Sequence, residues 1–288
     1  VTPDRPAGPA FGAYVRAQIA RGRLVVQPRM GFGDPASMRA GIAATVGADA
    51  TTAATITIDS YTRTGDYLRA AQSASLNGFP LLAHPPEITA SVADAARRFG
   101  VPVQVRHGSA VPQPIVSAML RAGITATEGG PVSYCLPYGR TPLRESLRNW
   151  DEACALLART DGHLETFGGC MLGQLCPPGL LVALSVLEGM YFAQRGLRTI
   201  SLSYAQQTNQ AQDEDAVLAL RALAADLLLA AVEWHVVVYT YMGVFPKSPR
   251  GARLLNERAA VLAARTGAAR LIVKTVAEAH RIPTIEEN

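Results

Sequence analysis

Short β-branched runs alternate with amphipathic or alanine-rich stretches along nearly the whole chain, the pattern of a parallel sheet whose strands are joined by crossover helices. The strand-like runs are Arg23 to Gln27, Ala54 to Asp59, Pro80 to His84, Pro102 to Arg106, Ile124 to Glu128, His163 to Phe167, Thr199 to Ser203, His235 to Thr240 and Leu271 to Lys274. Nine runs are one more than a closed barrel needs, and the proline-bounded Pro80 to His84 is the one expected to be an edge element or an irregular segment. Helices are predicted over Ser91 to Phe99, Pro114 to Ala122, Leu143 to Arg159, Gly179 to Arg195 with Gly196 as the stop, Asp213 to Ala230, and Pro249 to Thr266. Pro249 suits a first helical turn, where its missing N–H costs nothing. Residues 1–22 read as a helical lead-in and no linker interrupts the repeat. The expectation is a single α/β domain over 1–288, a (β/α)8 TIM barrel.

Composition narrows the class. At 288 residues and 49% hydrophobic content the chain can bury a large core. Its formal charge is only +4, its arginines are scattered and no basic stripe interleaves with aromatics, so nucleic-acid binding is not indicated. The most apolar stretches, Leu180 to Phe192 and Leu227 to Phe245, are too short or are broken by Glu233 and His235, which argues against membrane spans. Cys135, Cys154, Cys170 and Cys176 form no CxxC pair, so reduced thiols in a cytoplasm fit better than a disulfide framework, and no residue is read as a metal ligand. No targeting segment is visible in Val1 to Gly8, and the chain, without an initial Met and ending at Asn288 soon after a helix opens, reads as a C-terminally truncated piece.

The ends of barrel strands converge on one mouth. Arg29, Arg63 and Arg106 stand at or just past three strand ends and Glu128 at the end of a fourth, so the expected pocket is strongly positive with one negative group inside it. Such a pocket suits a small dicarboxylate that also carries an ammonium group. After Glu128, Gly129 and Gly130 let the backbone come close to a ligand, and Tyr134 and Tyr138, four apart, can turn both hydroxyls toward one cavity. The loops Glu165 to Gln174 and Ser203 to Asn209 carry glycines or amides past strand ends, as a site for a polar ligand would. Lys274, one of only two lysines, precedes Glu278 by four residues where a helix opens, which could put both heads on one face, whether as part of a site or as a structural ion pair.

Two other motifs carry less. Gly31-Phe32-Gly33-Asp34-Pro35-Ala36 follows a strand like a dinucleotide-binding fingerprint, with Asp59 closing the next strand. Pro35 sits where a phosphate-binding helix should offer free N–H groups, and Arg29 stands where such strands are apolar. Asp161-Gly162-His163 begins like the D-x-H-x-x-G of cobalamin-binding domains, but position 166 is Thr and His163 opens a strand at the end opposite the mouth, so His163 is read as structural.

Taken in order, Gln27-Pro28-Arg29, Asp59-Ser60-Tyr61-Thr62-Arg63, Val105-Arg106-His107-Gly108, the Glu128 to Tyr138 loop, Glu165 to Gln174, Ser203 to Asn209 and Lys274-Thr275 resemble the epsilon subunit of glutamate mutase (methylaspartate mutase) over nearly the whole chain. The resemblance implies a (β/α)8 barrel in which Arg29, Arg63 and Arg106 bind two substrate carboxylates, Glu128 holds the substrate ammonium as the catalytic residue, and Tyr134 and Tyr138 complete the substrate site. It implies adenosylcobalamin as cofactor, with Lys274 and Glu278 touching the adenosyl group and Gly31, Thr57, Pro137, Phe167 and Met242 lining the same cavity. The implied reaction interconverts L-glutamate and (2S,3S)-3-methylaspartate by hydrogen abstraction, fragmentation to a glycyl radical and acrylate, and recombination. A separate small cobalamin-binding (sigma) subunit carrying D-x-H-x-x-G is implied as partner, with two barrels pairing in a heterotetramer. Family members run beyond the point where this chain stops. A related barrel isomerase acting on another amino acid and a non-catalytic dicarboxylate-binding barrel remain alternatives.

Overall fold

The computed structural model describes residues 8–73, 75–135, 140–171 and 175–288. Eight strands form one parallel sheet: β1 Val25–Pro28, β2 Ala54–Thr57, β3 Val103–Arg106, β4 Ala126–Glu128, β5 His163–Glu165, β6 Thr199–Ala205, β7 Glu233–Tyr239 and β8 Arg270–Val273. Neighbours pair in chain order from β2 to β8, and β8 pairs with β1 in the register Val25 to Arg270. The seam between β1 and β2 is crossed by Val26 N–H to Thr51 O at 2.8 Å, Ala53 N–H to Val26 O at 3.3 Å and Thr57 N–H to Met30 O at 2.8 Å. The result is a nearly closed barrel with helices between its strands, as the periodicity predicts.

The helices are α1 Phe11–Ile19, α2 Pro35–Val46, α3 Ser60–Thr64, α4 Tyr67–Gln72, α5 Pro86–Arg97, α6 Gln113–Arg121, α7 Leu143–Ala158, α8 Pro178–Gln194, α9 Gln210–Leu227 and α10 Pro249–Thr266. The ninth strand-like run is not a strand: Phe79 makes one isolated bridge to Ile58, Leu81 to Ala83 form a turn, and Pro86 opens α5 five residues ahead of the predicted start at Ser91. A proline pair there starts a helix because Pro86 occupies the position whose N–H has no partner anyway. The helix α2 was not predicted. It opens at Pro35, capped by Asp34, whose Oδ1 accepts Ser37 N–H at 2.8 Å, so the glycine motif ends in an ordinary capped helix. A barrel with all eight strands in one ring also leaves no room for the dinucleotide fold.

Two kinds of core result. The strands' outer faces and the helices bury Ile42, Ile56, Val92, Val116, Trp150, Leu164, Phe192, Leu220 and Leu262 in one apolar cluster. The barrel interior is different: α1 plugs its lower end with Phe11 and Val15, and above the plug lies a layer of buried polar side chains. In that layer Arg270 donates from Nη1 to Gln27 Oε1 at 2.6 Å, from Nε to His235 Nε2 at 3.0 Å and from Nη2 to both Ser201 Oγ and Glu165 Oε2. Gln27 Nε2 donates to Thr55 Oγ1 at 2.9 Å and to Gln104 Oε1 at 2.8 Å. His163 and His235 stack at 5.3 Å beneath it, and burial pushes His163 down to about 3, so this end of the barrel holds neutral imidazoles as the structural reading of His163 expects.

Candidate active site at the barrel mouth

Above the polar layer, at the carboxyl ends of the strands, Arg29, Thr57, Arg63, Arg106, Glu128, Tyr134, Phe167 and Met242 line one cavity of about 170 Å3 together with Ile58, His107 and Gly108. Each arrives by a local device. Arg29 follows β1 and Thr57 ends β2. Arg63 rides on α3, whose start is fixed by Asp59: Oδ1 accepts the N–H groups of Tyr61 and Thr62, both at 2.9 Å. Arg106 and Glu128 end β3 and β4, next to each other in the sheet.

The charged groups that line the cavity are Arg29, Arg63, Arg106 and Glu128, and they pair within it or at its edge. Arg106 meets Glu128 Oε2 through both Nε and Nη2 at 2.7 Å, with both side chains buried. Burial works against the guanidinium charge, and Glu128 foremost outweighs it, so Arg106 stays protonated. Arg29 Nη1 lies 3.7 Å from Glu278 Oε2. The cavity therefore holds Arg63 and two arginines that already face a carboxylate. Arg106 Nη1 is buried with no partner among the described residues, so a further acceptor is what this fork lacks.

Two phenols hold Glu128 besides Arg106. Tyr134 donates to Oε1 at 2.7 Å, and Tyr239 on β7, across the barrel, approaches Oε2 at 3.0 Å. Burial, then Glu128, pushes the Tyr134 phenol well above its ordinary range, so it is a donor and not an anion. His107 borders the same cavity, and burial pushes it down to about 3, which leaves a neutral imidazole whose Nδ1 accepts Ser109 N–H at 3.0 Å.

The two glycines after Glu128 make room for the protein itself. Gly129 has φ +132, and a Cβ there would lie 2.5 Å from Trp150. A Cβ on Gly130 would lie 2.0 Å from Glu188 Oε1. Glu188, on the otherwise apolar α8, is fully buried and takes four donors: Ser133 N–H at 2.9 Å, Ser133 Oγ at 2.7 Å, Phe167 N–H at 3.1 Å and Gly168 N–H at 2.8 Å. It ties the loop that carries Tyr134 to the loop that carries Phe167. Sequence reasoning missed it, although a lone carboxylate inside an apolar helix was the available signal.

A second groove of about 470 Å3 shares Arg29 and Thr57 with the first and continues along Met30, Gly31, Asn77 and Glu278. The expected Lys274 and Glu278 pairing is not formed. Residues Val276–Ala279 make a 3-10 turn rather than an α-helix, Glu278 faces Arg29, and Lys274 Nζ sits 5.2 Å over the Phe245 ring. Burial, then Arg29, lowers Lys274 to about 8. Pro137 and Tyr138 lie outside the described residues.

The chain is a (β/α)8 barrel whose strand ends gather arginines around a buried carboxylate at the C-terminal mouth, the face where barrels of this class carry their sites. The chain belongs to the methylaspartate mutase E chain (MutE) family, whose pattern matches residues 6–288. It is 34% identical over 247 residues to the glutamate mutase epsilon subunit of Halobacterium salinarum, covering 81% of this chain and 51% of that one. Against the epsilon subunit of Desulfitobacterium hafniense the identity is 33% over 251 residues, with 81% and 51% covered. The chain thus spans about half the length of the curated relatives it matches. Among solved structures, 2,3-dimethylmalate lyase, a member of the PEP mutase/isocitrate lyase superfamily, superposes with a TM-score of 0.50 at 14% identity, covering 93% of this chain and 81% of that one, a likeness of fold alone.

Proposed function

We propose that this barrel is the substrate-binding part of a cytoplasmic carbon-skeleton mutase that interconverts L-glutamate and (2S,3S)-3-methylaspartate. The observation that carries the reading is the convergence of Arg29, Arg63, Arg106, Glu128 and Tyr134 on one cavity inside a chain of the methylaspartate mutase E chain family. Arg63 and the open Nη1 of Arg106 offer planar donors for carboxylates, and such forks fix orientation as well as charge. Glu128 offers the only carboxylate among the residues that line this cavity, the counterpart an ammonium group needs. Held from two sides by Tyr134 and Tyr239, it can take a proton from that ammonium without turning away.

The second groove fits an adenosyl group. Thr57, which lines it, has an Oγ1 buried without a partner among the described residues. A hydroxyl left in that state suits a polar edge of a ribose or base. Thr57 and Glu278 and, as the family resemblance implies, Lys274 would hold the group, with Gly31 along the groove and Phe167 and Met242 in the adjoining mouth cavity. When bound, adenosylcobalamin supplies the radical that removes a hydrogen atom from the substrate. The chain's own part is to hold the carboxylates, keep Glu128 in place beside the amino group and exclude water. A small cobalamin-binding subunit is the partner this reading requires, with two barrels in a heterotetramer.

The test is formation of 3-methylaspartate from L-glutamate by the full-length chain with its cobalamin-binding subunit and adenosylcobalamin. Glu128→Gln should lower turnover by orders of magnitude with a modest change in substrate affinity. Near-normal turnover in that variant would remove Glu128 from the mechanism.

A further inference from the structure

We propose that Tyr239 is a positioning residue for the Arg106–Glu128 pair, and that Glu165, anchored on Arg270, holds Tyr239 in place. The inference deepens the proposed function and rests on it. Tyr239 does not line the mouth cavity; it lies fully buried beneath it at the end of β7. Its ring carries the Arg106 guanidinium 4.9 Å from the centroid, and its hydroxyl reaches Glu128 Oε2 at 3.0 Å. One side chain thus supports both members of an ion pair that comes from β3 and β4, on the far side of the barrel.

What fixes Tyr239 is a second buried carboxylate. Its hydroxyl also contacts Glu165 Oε1, while Glu165 Oε2 takes Arg270 Nη2, Gln104 Nε2 at 3.2 Å and Ser201 Oγ at 3.2 Å. Glu165 and Arg270 are both fully buried. Two carboxylates lie between two cations in the order Arg270, Glu165, Glu128 and Arg106, with the Tyr239 phenol between the carboxylates. A phenol has one hydroxyl proton, so a single proton separates two negative groups. The hydrogen bonding and electrostatic setting of Glu128 therefore depend on Tyr239 and Glu165 even though neither lines the cavity.

The charged and titratable groups around Glu128 come from every neighbouring element. Arg106 and His107 come from β3 and the residue after it, and Tyr134 from the loop after β4. Glu165 stands on β5, the Cys170 thiol on the 3-10 turn that follows it, and Tyr239 on β7. Burial keeps His107, Tyr134, Tyr239 and Cys170 uncharged, so the fixed charges are Arg106 and Glu165. Removing the Tyr239 hydroxyl takes a donor from Glu128 and leaves the two carboxylates unseparated. Removing the Glu165 charge does the reverse.

The experiment is calorimetric titration of L-glutamate, across pH 4 to 8, into the full-length chain paired with its cobalamin-binding subunit. Wild type should lose affinity on the acid side. In Tyr239→Phe that acid limb should move up by about one pH unit, with affinity at pH 8 within about threefold of wild type. In Glu165→Gln it should move down. The ligand's own carboxyls titrate alike in every variant, and Tyr204→Phe, which loses an equally buried hydroxyl bonded to Asp213 instead, should superimpose on wild type. A Tyr239→Phe profile lying on wild type, or lowered equally at all pH values as mere loosening would do, overturns the proposal. A limb that moves the same way in both variants does so too. Wild type that takes up no glutamate at any pH overturns the functional reading, and with it this one.

Discussion

Glu188 is the joint on which the mouth loops hang, and its replacement should show it. In Glu188→Gln the amide oxygen can keep the N–H groups of Phe167 and Gly168, and its NH2 can donate to Ser133 Oγ, but Ser133 N–H then faces another donor. One buried donor left unmet costs about 1–3 kcal/mol, and turning the remaining bonds from charged to neutral costs about 1 kcal/mol more. Against that stands the burial of the charge itself, which raises Glu188 above the ordinary carboxylate range and is relieved in the amide. The net loss should be about 2 kcal/mol, which is large beside a typical folding stability of about 5–15 kcal/mol. Glu188→Ala strips all four donors and should cost at least about twice as much. Gly130→Ala should behave like Glu188→Ala, because its Cβ would occupy the place of the carboxylate, 2.0 Å from Oε1. Urea unfolding followed by far-ultraviolet and near-ultraviolet circular dichroism reads the stability and the packing of Trp150 and Tyr134 together. Glu188→Gln within about 0.5 kcal/mol of wild type, with Glu188→Ala no worse than Glu188→Gln, would refute the reasoning, since surface positions change stability by that little.

Arg270→Met should destabilise the chain by about 3–5 kcal/mol, the cost of leaving the Glu165 charge buried without its partner, and urea unfolding measures it. Lys274 titrates at about 8 in the folded chain against an ordinary value of 10.5, so the folded state binds fewer protons between those values. Its contribution to stability is therefore full above about pH 10.5 and is lost as pH falls through 8. The stability of wild type relative to Lys274→Met should rise between pH 8 and pH 10 by up to about 3 kcal/mol, and a flat difference would contradict this. Arg63→Lys should weaken L-glutamate binding by at least about tenfold, because a point charge cannot replace a planar fork, and calorimetry reads it directly.

The ring of strands was legible because βα periodicity is a backbone matter: each of β1 to β8 overlaps a predicted run, and the run discarded on account of its prolines, Pro80 to His84, is the one that forms a turn. The arginines and Glu128 were legible for a related reason, since a residue at the carboxyl end of a barrel strand has one place to go. What the sequence hid is side-chain pairing. That Arg106 would spend two of its donors on Glu128 depends on the relative height of adjacent strands. The polar interior did leave a trace, Gln27, Gln104 and Arg270 inside otherwise apolar strand segments, where strands covered on both faces usually read as unbroken apolar runs. The Gly129–Gly130 pair was read as space for a ligand, whereas Trp150 from the next helix and Glu188 from α8 fill it. Lys274 and Glu278 were paired on α-helical spacing that the 3-10 turn does not have.

Recognition of L-glutamate at the mouth cavity should engage both its carboxylates and its ammonium. Calorimetry of L-glutamate and of glutarate, which lacks the ammonium, against wild type and Arg63→Ala of the full-length chain with its cobalamin-binding subunit tests it most directly. Saturable binding of L-glutamate, weaker binding of glutarate, and a loss of at least about tenfold for both ligands in Arg63→Ala are expected. Equal affinity for the two ligands, or L-glutamate binding that Arg63→Ala leaves unchanged, would contradict it.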